Sequence, residues 1–594
     1  MKVMKKVLLS LLASVLVFAS CTDLTELNQD PTKSTTINPN LLITNIEFMQ
    51  AFGYNNCTRY MIYPGTFCNH FTGPWSNVEY GGKGKKNTGY MERLWIIYYP
   101  EIVWDIVALE ELTKDKPEYV NQHAIAKILR VEVFSKLTDY YGDIPYSEAG
   151  QGYFQGKLNP KYDKQEDIYH DFFKQLDDAI AMFDETLPPA TEDLYFAGNV
   201  VKWKRFANSL KLRLAMRLIK VEPDNAKKYA KEAIEGGVME SNDDTAFVKY
   251  DNNKDGEGTG NGYANAINSL YNTNYGPTQY RITTELLKAL IIQGADRVDG
   301  GTVYRTIDKE DPRLTIIARS YTAHTMDRAF DITDVCRNFN ANNAGKQGPA
   351  DLTSAVDGYI NIGGYLTAPA QEFNYGGGIQ REYGLDQTRS VWANAITDAL
   401  APDLPVASVT HYVQRLQPSK WLQASDSPWI HLSYAETQFL LAETTLRGWN
   451  IDSESAASRY RKGMEAAIAQ WSIFGADVPM AGNAEIQDYI NARIAHVNAG
   501  GKEAMEEVMT QLWLVFMMDP IEAWSLIRRT DGMPTEFVKF YNRYPTENET
   551  GGLRPRRMQY PMEEQTKNKQ SYDEAVARMG GADDWMTPVW WDKQ

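Results

Sequence analysis

Trp75, Tyr80, Tyr271, Tyr275, Tyr280, Tyr375, Trp392 and Trp421 stand in stretches rich in glycine, asparagine and other polar residues, outside any apolar run. A ring in such a setting offers a flat apolar face to the C–H face of a sugar, while neighbouring Asn, Gln and Asp side chains bond its hydroxyls. These eight are the candidate ligand-binding residues. The competing reading is that the same rings pin long loops to a scaffold. Trp95, Trp104, Trp203, Trp513 and Trp524 fall within helical patterns and are expected in the core.

Other chemistry is tested residue by residue. Asp251, Asn253, Asp255 and Gly256 match the first half of a calcium loop, but the closing bidentate acid at position 12 is replaced by Gly262. A plain turn is the better reading, with a loose structural calcium site as the alternative, and no cofactor is expected. The seven histidines form no H-E-x-x-H pair. Neither a G-x-S-x-G elbow nor a P-loop occurs. Glu436 and Glu443 lie two turns apart on one helix face and could mimic a catalytic carboxylate pair, although such residues are more often ion-paired. No catalytic residue is assigned. The segment 199–220 carries Lys202, Lys204, Arg205, Lys211, Arg213, Arg217 and Lys220 without an acid. Phosphate contact is one reading; the favoured one is that this helix faces the acidic segment 166–185.

The net charge of the chain is −16. So acidic a surface disfavours nucleic acids and anionic membranes, which need a basic field. The start of the chain is the exception. Lys2, Lys5 and Lys6 precede the apolar run Val7–Ala19, followed by small residues and Cys21. That is the layout of an export signal, and at 13 residues it is shorter than the roughly 20 needed to span a bilayer. Phe18-Ala19-Ser20-Cys21 resembles a bacterial lipoprotein box, making Cys21 the lipidation site. Cys57 and Cys68 could bridge in an oxidising compartment or serve as small buried hydrophobes. No zinc spacing is present.

The elements positioning these residues are mostly helical. Residues 1–20 read as the signal peptide, 21–40 as a flexible tether and 41–594 as a single domain. Its helical scaffold is expected at about 93–240 and 429–530, around a loop-rich region at about 241–428. Ile125, Leu129, Val133 and Leu137 mark one helix, and 166–185, 199–220 and 224–237 mark three more. A short helix is expected at 283–293, then 429–448, 453–471 and 503–530, the last broken at Asp519-Pro520 with Asp519 and Glu522 as a capping box. The fold class is all-α: tetratricopeptide-like helix pairs carrying a large irregular insertion.

The blocks "RVEVFSKLTDYYGDIPYSEA", "VKWKRFANSLKLRLAMR", "SPWIHLSYAETQFLLAETTLRGW", "PIEAWSLIRRTDGMP" and "RRMQYPMEEQTKN" resemble, in order and spacing, those of the SusD/RagB-like outer-membrane lipoproteins of Bacteroidetes. The resemblance runs from the lipobox to the terminal "VWWDKQ". It implies a scaffold of four tetratricopeptide-like helix pairs with a variable ligand-binding region, sitting as a lid on a SusC-like TonB-dependent transporter. It further implies binding without catalysis. Asp23 and Glu26, just after Cys21, resemble the signal that sends such lipoproteins to the cell surface. The expected function is delivery of an oligosaccharide or polysaccharide to the transporter; a peptide or other non-glycan nutrient, or a secreted glycoside hydrolase, are the alternatives. Two or more acyl chains on Cys21 would anchor stably where one binds only marginally. Cys21→Ser is therefore expected to move the protein from the membrane to the soluble fraction on cell fractionation; full membrane retention would contradict the anchor.

Overall fold

The computed structural model describes residues 37–50, 60–72, 77–250, 281–295, 297–299, 302–304, 307–325, 328–331, 360–362, 365–367, 413–424, 426–478, 482–540 and 546–593. The first helix, α1 (Pro39–Met49), starts where Asn38 accepts a hydrogen bond from the Asn40 amide and Pro39 supplies a preset φ. Leu42, Ile43 and Ile46 form its buried stripe. α1 packs on α2 (Trp104–Thr113), and α2 pairs with the longest helix, α3 (Val120–Tyr141). α3 is buried over nearly its whole circumference. α4 (Gln165–Met182) lies against it, burying Ile168, Phe172 and Leu176 and exposing its acids.

The next pair is α5 (Val200–Ala215) and α6 (Pro223–Gly236), joined where Asn208 Nδ2 donates to the Gly236 carbonyl at 2.9 Å. α7 (Tyr434–Leu446) pairs with α8 (Ala456–Ala469) at a close approach that only Gly463 permits, since a Cβ there would lie 2.7 Å from the Phe439 ring. α9 (Ala484–Ala499) pairs with α10 (Gly501–Val515), and α11 (Pro520–Arg529) follows. These successive helix hairpins are tetratricopeptide-like, and the fold is all-α in class. The C-terminal segment returns to the frame: Trp591 is fully buried, and its indole N–H donates to Asp139 of α3.

The strands are short and antiparallel. The segment between α6 and α7 is clasped at its two ends by β1 (Ala246–Val248) and, after it, β5 (Trp429–Leu432), in register Trp429↔Val248 and Ile430↔Phe247. Within it, β2 (Ala318–Thr325) pairs with both β3 (Arg328–Asp331) and β4 (Val413–Pro418).

Three local expectations are corrected. Residues 429–448 do not form one helix: Trp429–Leu432 is drawn into the clasp, and Ser433 then caps α7 by accepting from the Glu436 amide. The helix expected over 283–293 covers Thr284–Ala289, after which the apolar Ile291–Gln293 pairs as a strand with Ile307–Glu310. Pro520 does open α11, but no capping box forms. Asp519 faces Lys136 at 3.6 Å, and Glu522 is taken by Arg217 and Arg213.

Glu522 belongs to a buried ionic network. Arg213 of α5 makes two hydrogen bonds of 2.6 Å to Glu436 of α7. Arg217, one turn on, bonds Glu522 of α11 and reaches Asp139 of α3 at 3.1 Å. Tyr169 of α4 donates to the same Asp139. Arg529 forks onto Glu443, both bonds 2.7 Å. Only Lys211 among the basic residues of 199–220 pairs with a carboxylate of α4, Asp177 at 2.7 Å, among the described residues. Arg213 and Arg217 are thus met by acids from α3, α7 and α11, while Arg205 is met by Glu240 and Asp244 and Lys220 by Asp531 and Asp592.

Removing one partner of a buried pair leaves the others uncompensated, at a cost of about 3–5 kcal/mol. Arg217→Met, which fills similar space, is expected to lower the thermal midpoint by several degrees, with Arg217→Lys in between because an ammonium cannot fork. An unchanged midpoint in Arg217→Met would contradict the network's role. A second expectation concerns pH. Glu47 is fully buried on α1, with the Leu194 amide donating to it at 2.7 Å. Burial, and then the neighbouring Asp193 carboxylate, push it well above its usual range. Asp193 is held beside Glu47 by bonds it accepts from the Tyr195, Phe196 and Gly198 amides and Trp203 Nε1. The folded chain therefore binds one proton more than the unfolded chain above the ordinary carboxyl pKa, so this residue costs stability as pH rises. The difference in thermal midpoint between Glu47→Gln and the parent should grow in favour of the variant from about pH 4 to about pH 7; a pH-independent difference would contradict it.

Candidate functional site

Of the eight candidate rings, Tyr80 and Trp421 lie among the described residues. Trp75, Tyr271, Tyr275, Tyr280, Tyr375 and Trp392 lie outside them, as do Cys21 and the Asp251, Asn253 and Asp255 turn. Cys68 is a free, buried cysteine whose thiol faces the Pro520 carbonyl at 3.6 Å, which favours the buried-hydrophobe reading for this residue.

Tyr80 stands on a helical turn, Asn77–Gly82, laid on another turn at Met61–Gly65. Asn77 Nδ2 donates to the Met61 carbonyl at 2.9 Å. Gly81 makes the contact possible, since a Cβ there would sit 2.1 Å from the Ile62 carbonyl oxygen. The Tyr80 ring is half-buried and meets Tyr90 edge-on, with centroids 5.4 Å apart. Beside it, Lys83 and Lys85 each contact both Glu79 and Glu547, at 2.5–3.1 Å. The turn is therefore fixed in place, with one edge of an aromatic pair toward solvent.

Trp421 occupies the turn Lys420–Gln423 that follows β4, where the Ser419 amide donates to the Ile317 carbonyl at 2.9 Å. The ring is half-buried against the core, with the Lys420 ammonium 4.7 Å from its centroid. No described residue accepts from the Trp421 indole N–H or bonds the Tyr80 hydroxyl. Each ring thus combines a seated apolar body with a free polar tip, which suits sugar contact. No ring contact joins Tyr80 to Trp421 among the described residues. Lys420 and Tyr90 were not singled out from the sequence: Lys420 adjoins Trp421 in the chain, whereas Tyr90 lies ten positions from Tyr80 on the helix Thr88–Met91 and meets it only through the fold.

Among the described residues, Glu436, Glu443, His431 and His70 are held within the frame. Burial alone would raise Glu443, but Arg529 and Arg447 outweigh it and hold the carboxyl at about 2. Glu436 is closed off beneath Arg213. His431 bonds Glu132 through Nδ1 at 2.9 Å, and burial pushes it below the ordinary imidazole range. His70 packs on Trp513, with burial taking it down to about 3. Two cavities lined by described residues measure about 20 Å³ and 40 Å³. Trp104, expected in the core, is 37% exposed because it opens α2 at the surface. Among the described residues Tyr153 and Leu158 are the most exposed large apolar side chains, at 83% and 82%; Tyr153 lies in the short turn Gly152–Gln155 and Leu158 just after it.

Comparison with known proteins places this geometry. Residues 31–272 match a family model described as starch-binding, associating with outer membrane, and residues 407–592 one described as SusD and RagB outer membrane lipoprotein. A solved chitin-binding protein is 31% identical, with 94% of this chain and all of that one aligned and a TM-score of 0.69. A SusD-like protein named Bacteroidetes AC2a is 30% identical over the same shares, with a TM-score of 0.75. A chitin-binding SusD homolog from Flavobacterium johnsoniae, at 20% identity, 93% of this chain, 97% of that one and a TM-score of 0.61, shares the fold. No curated protein matches. With both halves of the chain matched by these models and two relatives aligned along nearly its whole length, the protein belongs to the SusD/RagB family of outer membrane lipoproteins.

Proposed function

We propose that the protein binds an oligosaccharide or polysaccharide at the cell surface and hands it to a SusC-like TonB-dependent transporter, without catalysing a reaction. The observation that carries the ligand class is the 31% identity to a chitin-binding protein aligned over all of its length. A β-linked N-acetylglucosamine polymer is accordingly the first candidate. The described aromatic pair at Tyr80 and the seated Trp421 support this reading, because half-buried rings with free polar tips contact a sugar at little cost in side-chain entropy.

The domain plan remains part of the proposal: a cleaved leader over 1–20, lipid on Cys21, a tether up to about residue 40 and one domain beyond it. The structure starts α1 at Pro39, so the tether would end by Asn38. Binding without catalysis is supported by the arginine clamps on Glu436 and Glu443, which leave that carboxylate pair without access to a substrate.

Calorimetric titration with chito-oligosaccharides, and with malto-oligosaccharides for comparison, tests the ligand class. Binding of the chitin series is expected, with Trp421→Ala and Tyr80→Ala each weakening it about five- to tenfold, equivalent to roughly 1–1.4 kcal/mol. Flat titrations across both series would overturn the glycan reading. Unchanged affinity in both variants would overturn the role of these two rings while leaving glycan binding in place.

A further inference from the structure

The cavity of about 20 Å³ lies where α5, the β5–α7 junction, the turn after α8 and the start of α11 meet. Its walls include His431, Gln470 and Asp519, each more than nine-tenths buried. All three bring to it acceptor atoms that no protein donor satisfies: His431 Nε2, Gln470 Oε1, and both carboxylate oxygens of Asp519. Lys136 stands 3.6 Å from Asp519, beyond hydrogen-bond length. His431 Nδ1 is already committed to Glu132, so the ring's other nitrogen faces the cavity as a lone pair.

An occupant must therefore donate and must fit a cavity of about 20 Å³. The cations beside it already face carboxylates: Arg213 pairs with Glu436, which also lines the cavity, Arg313 with Asp311, and Lys136 stands near Asp519. Among the described residues, no group of three or more His, Cys, Asp or Glu side chains is placed to hold a metal ion. A cavity of at least about 10–15 Å³ with two to four polar partners is what a buried water requires.

We propose that this cavity is a built site for a single water, which donates one hydrogen to the Asp519 carboxylate and the other to His431 Nε2. The water links Asp519, at the start of α11, to β5, the strand that leads from the segment after α6 into α7. It supplies one Asp519 oxygen and His431 Nε2 with a donor; Gln470 Oε1 and the second Asp519 oxygen are acceptors that its two hydrogens do not reach.

High-resolution crystal structures of the protein, grown in sodium and in choline salts and then soaked in thallium, test the site. The expected result is one density peak of water height in both salts, about 2.7–3.1 Å from Asp519 Oδ and His431 Nε2, without anomalous signal after the soak. Melting temperatures in sodium, potassium and choline chloride at equal ionic strength should coincide. An unfilled cavity, a thallium peak at this position, or a melting temperature that rises in one cation alone would each overturn the proposal.

Discussion

Arg217 is held between Asp139 and Glu522 with no exposure to water worth the name, and the arrangement of the helices depends on that contact. An ionised group so far from solvent is tolerated only when its partners and remaining hydrogen bonds are in place. Here the partners come from α3 and α11, and the neighbouring Arg213 adds α7 through Glu436. Apolar faces can slide by a fraction of a turn at modest cost, whereas forked guanidinium–carboxylate contacts cannot. The network therefore sets the register in which successive hairpins stack. Trp591 and Arg528 extend it to the C-terminal segment through the side chain and carbonyl of Asp139.

This arrangement separates the chemistry of the protein into two classes. Charged residues that resemble catalytic or phosphate-binding groups are turned inward and neutralised. Aromatic residues at the margin of the frame keep a free edge. The β1–β5 clasp is the hinge between the classes: it holds the departure and return of the segment between α6 and α7 at one place, so that its turns, including that of Trp421, are delivered from a fixed base.

Much of the frame was legible in the sequence because α4 and α6 segregate apolar and charged residues at helical spacing. α3 was legible for a different reason: it is buried almost all round, so its four-residue apolar stripe was only the visible part of a wider buried surface. α1 escaped notice because a single short stripe next to a polar tether gives little periodic signal. β5 was hidden because Trp429–Leu432 continues the apolar rhythm of α7, and only pairing with a strand distant in the chain decides its conformation. The ionic partners of α5 were misassigned for the same reason. Arg213 and Glu436 are separated by 223 positions, and nothing in local pattern ranks that acid above the nearby ones of α4. For the candidate site, sequence reasoning found aromatic rings in polar settings, and the two that lie among the described residues, Tyr80 and Trp421, are half-buried. It had no means to see Tyr90 against Tyr80 or Lys420 over Trp421, which are products of turn geometry.

The ion-locked frame is expected to present a ligand surface without itself taking part in binding. Hydrogen exchange, followed by mass spectrometry with and without saturating chito-oligosaccharide, measures this directly. Slowed exchange is expected in peptides containing Tyr80, Trp421 and the segment between α6 and α7, with α3, α5, α7 and α11 unchanged. Ligand-dependent exchange concentrated in those four helices, with the aromatic turns unaffected, would contradict it.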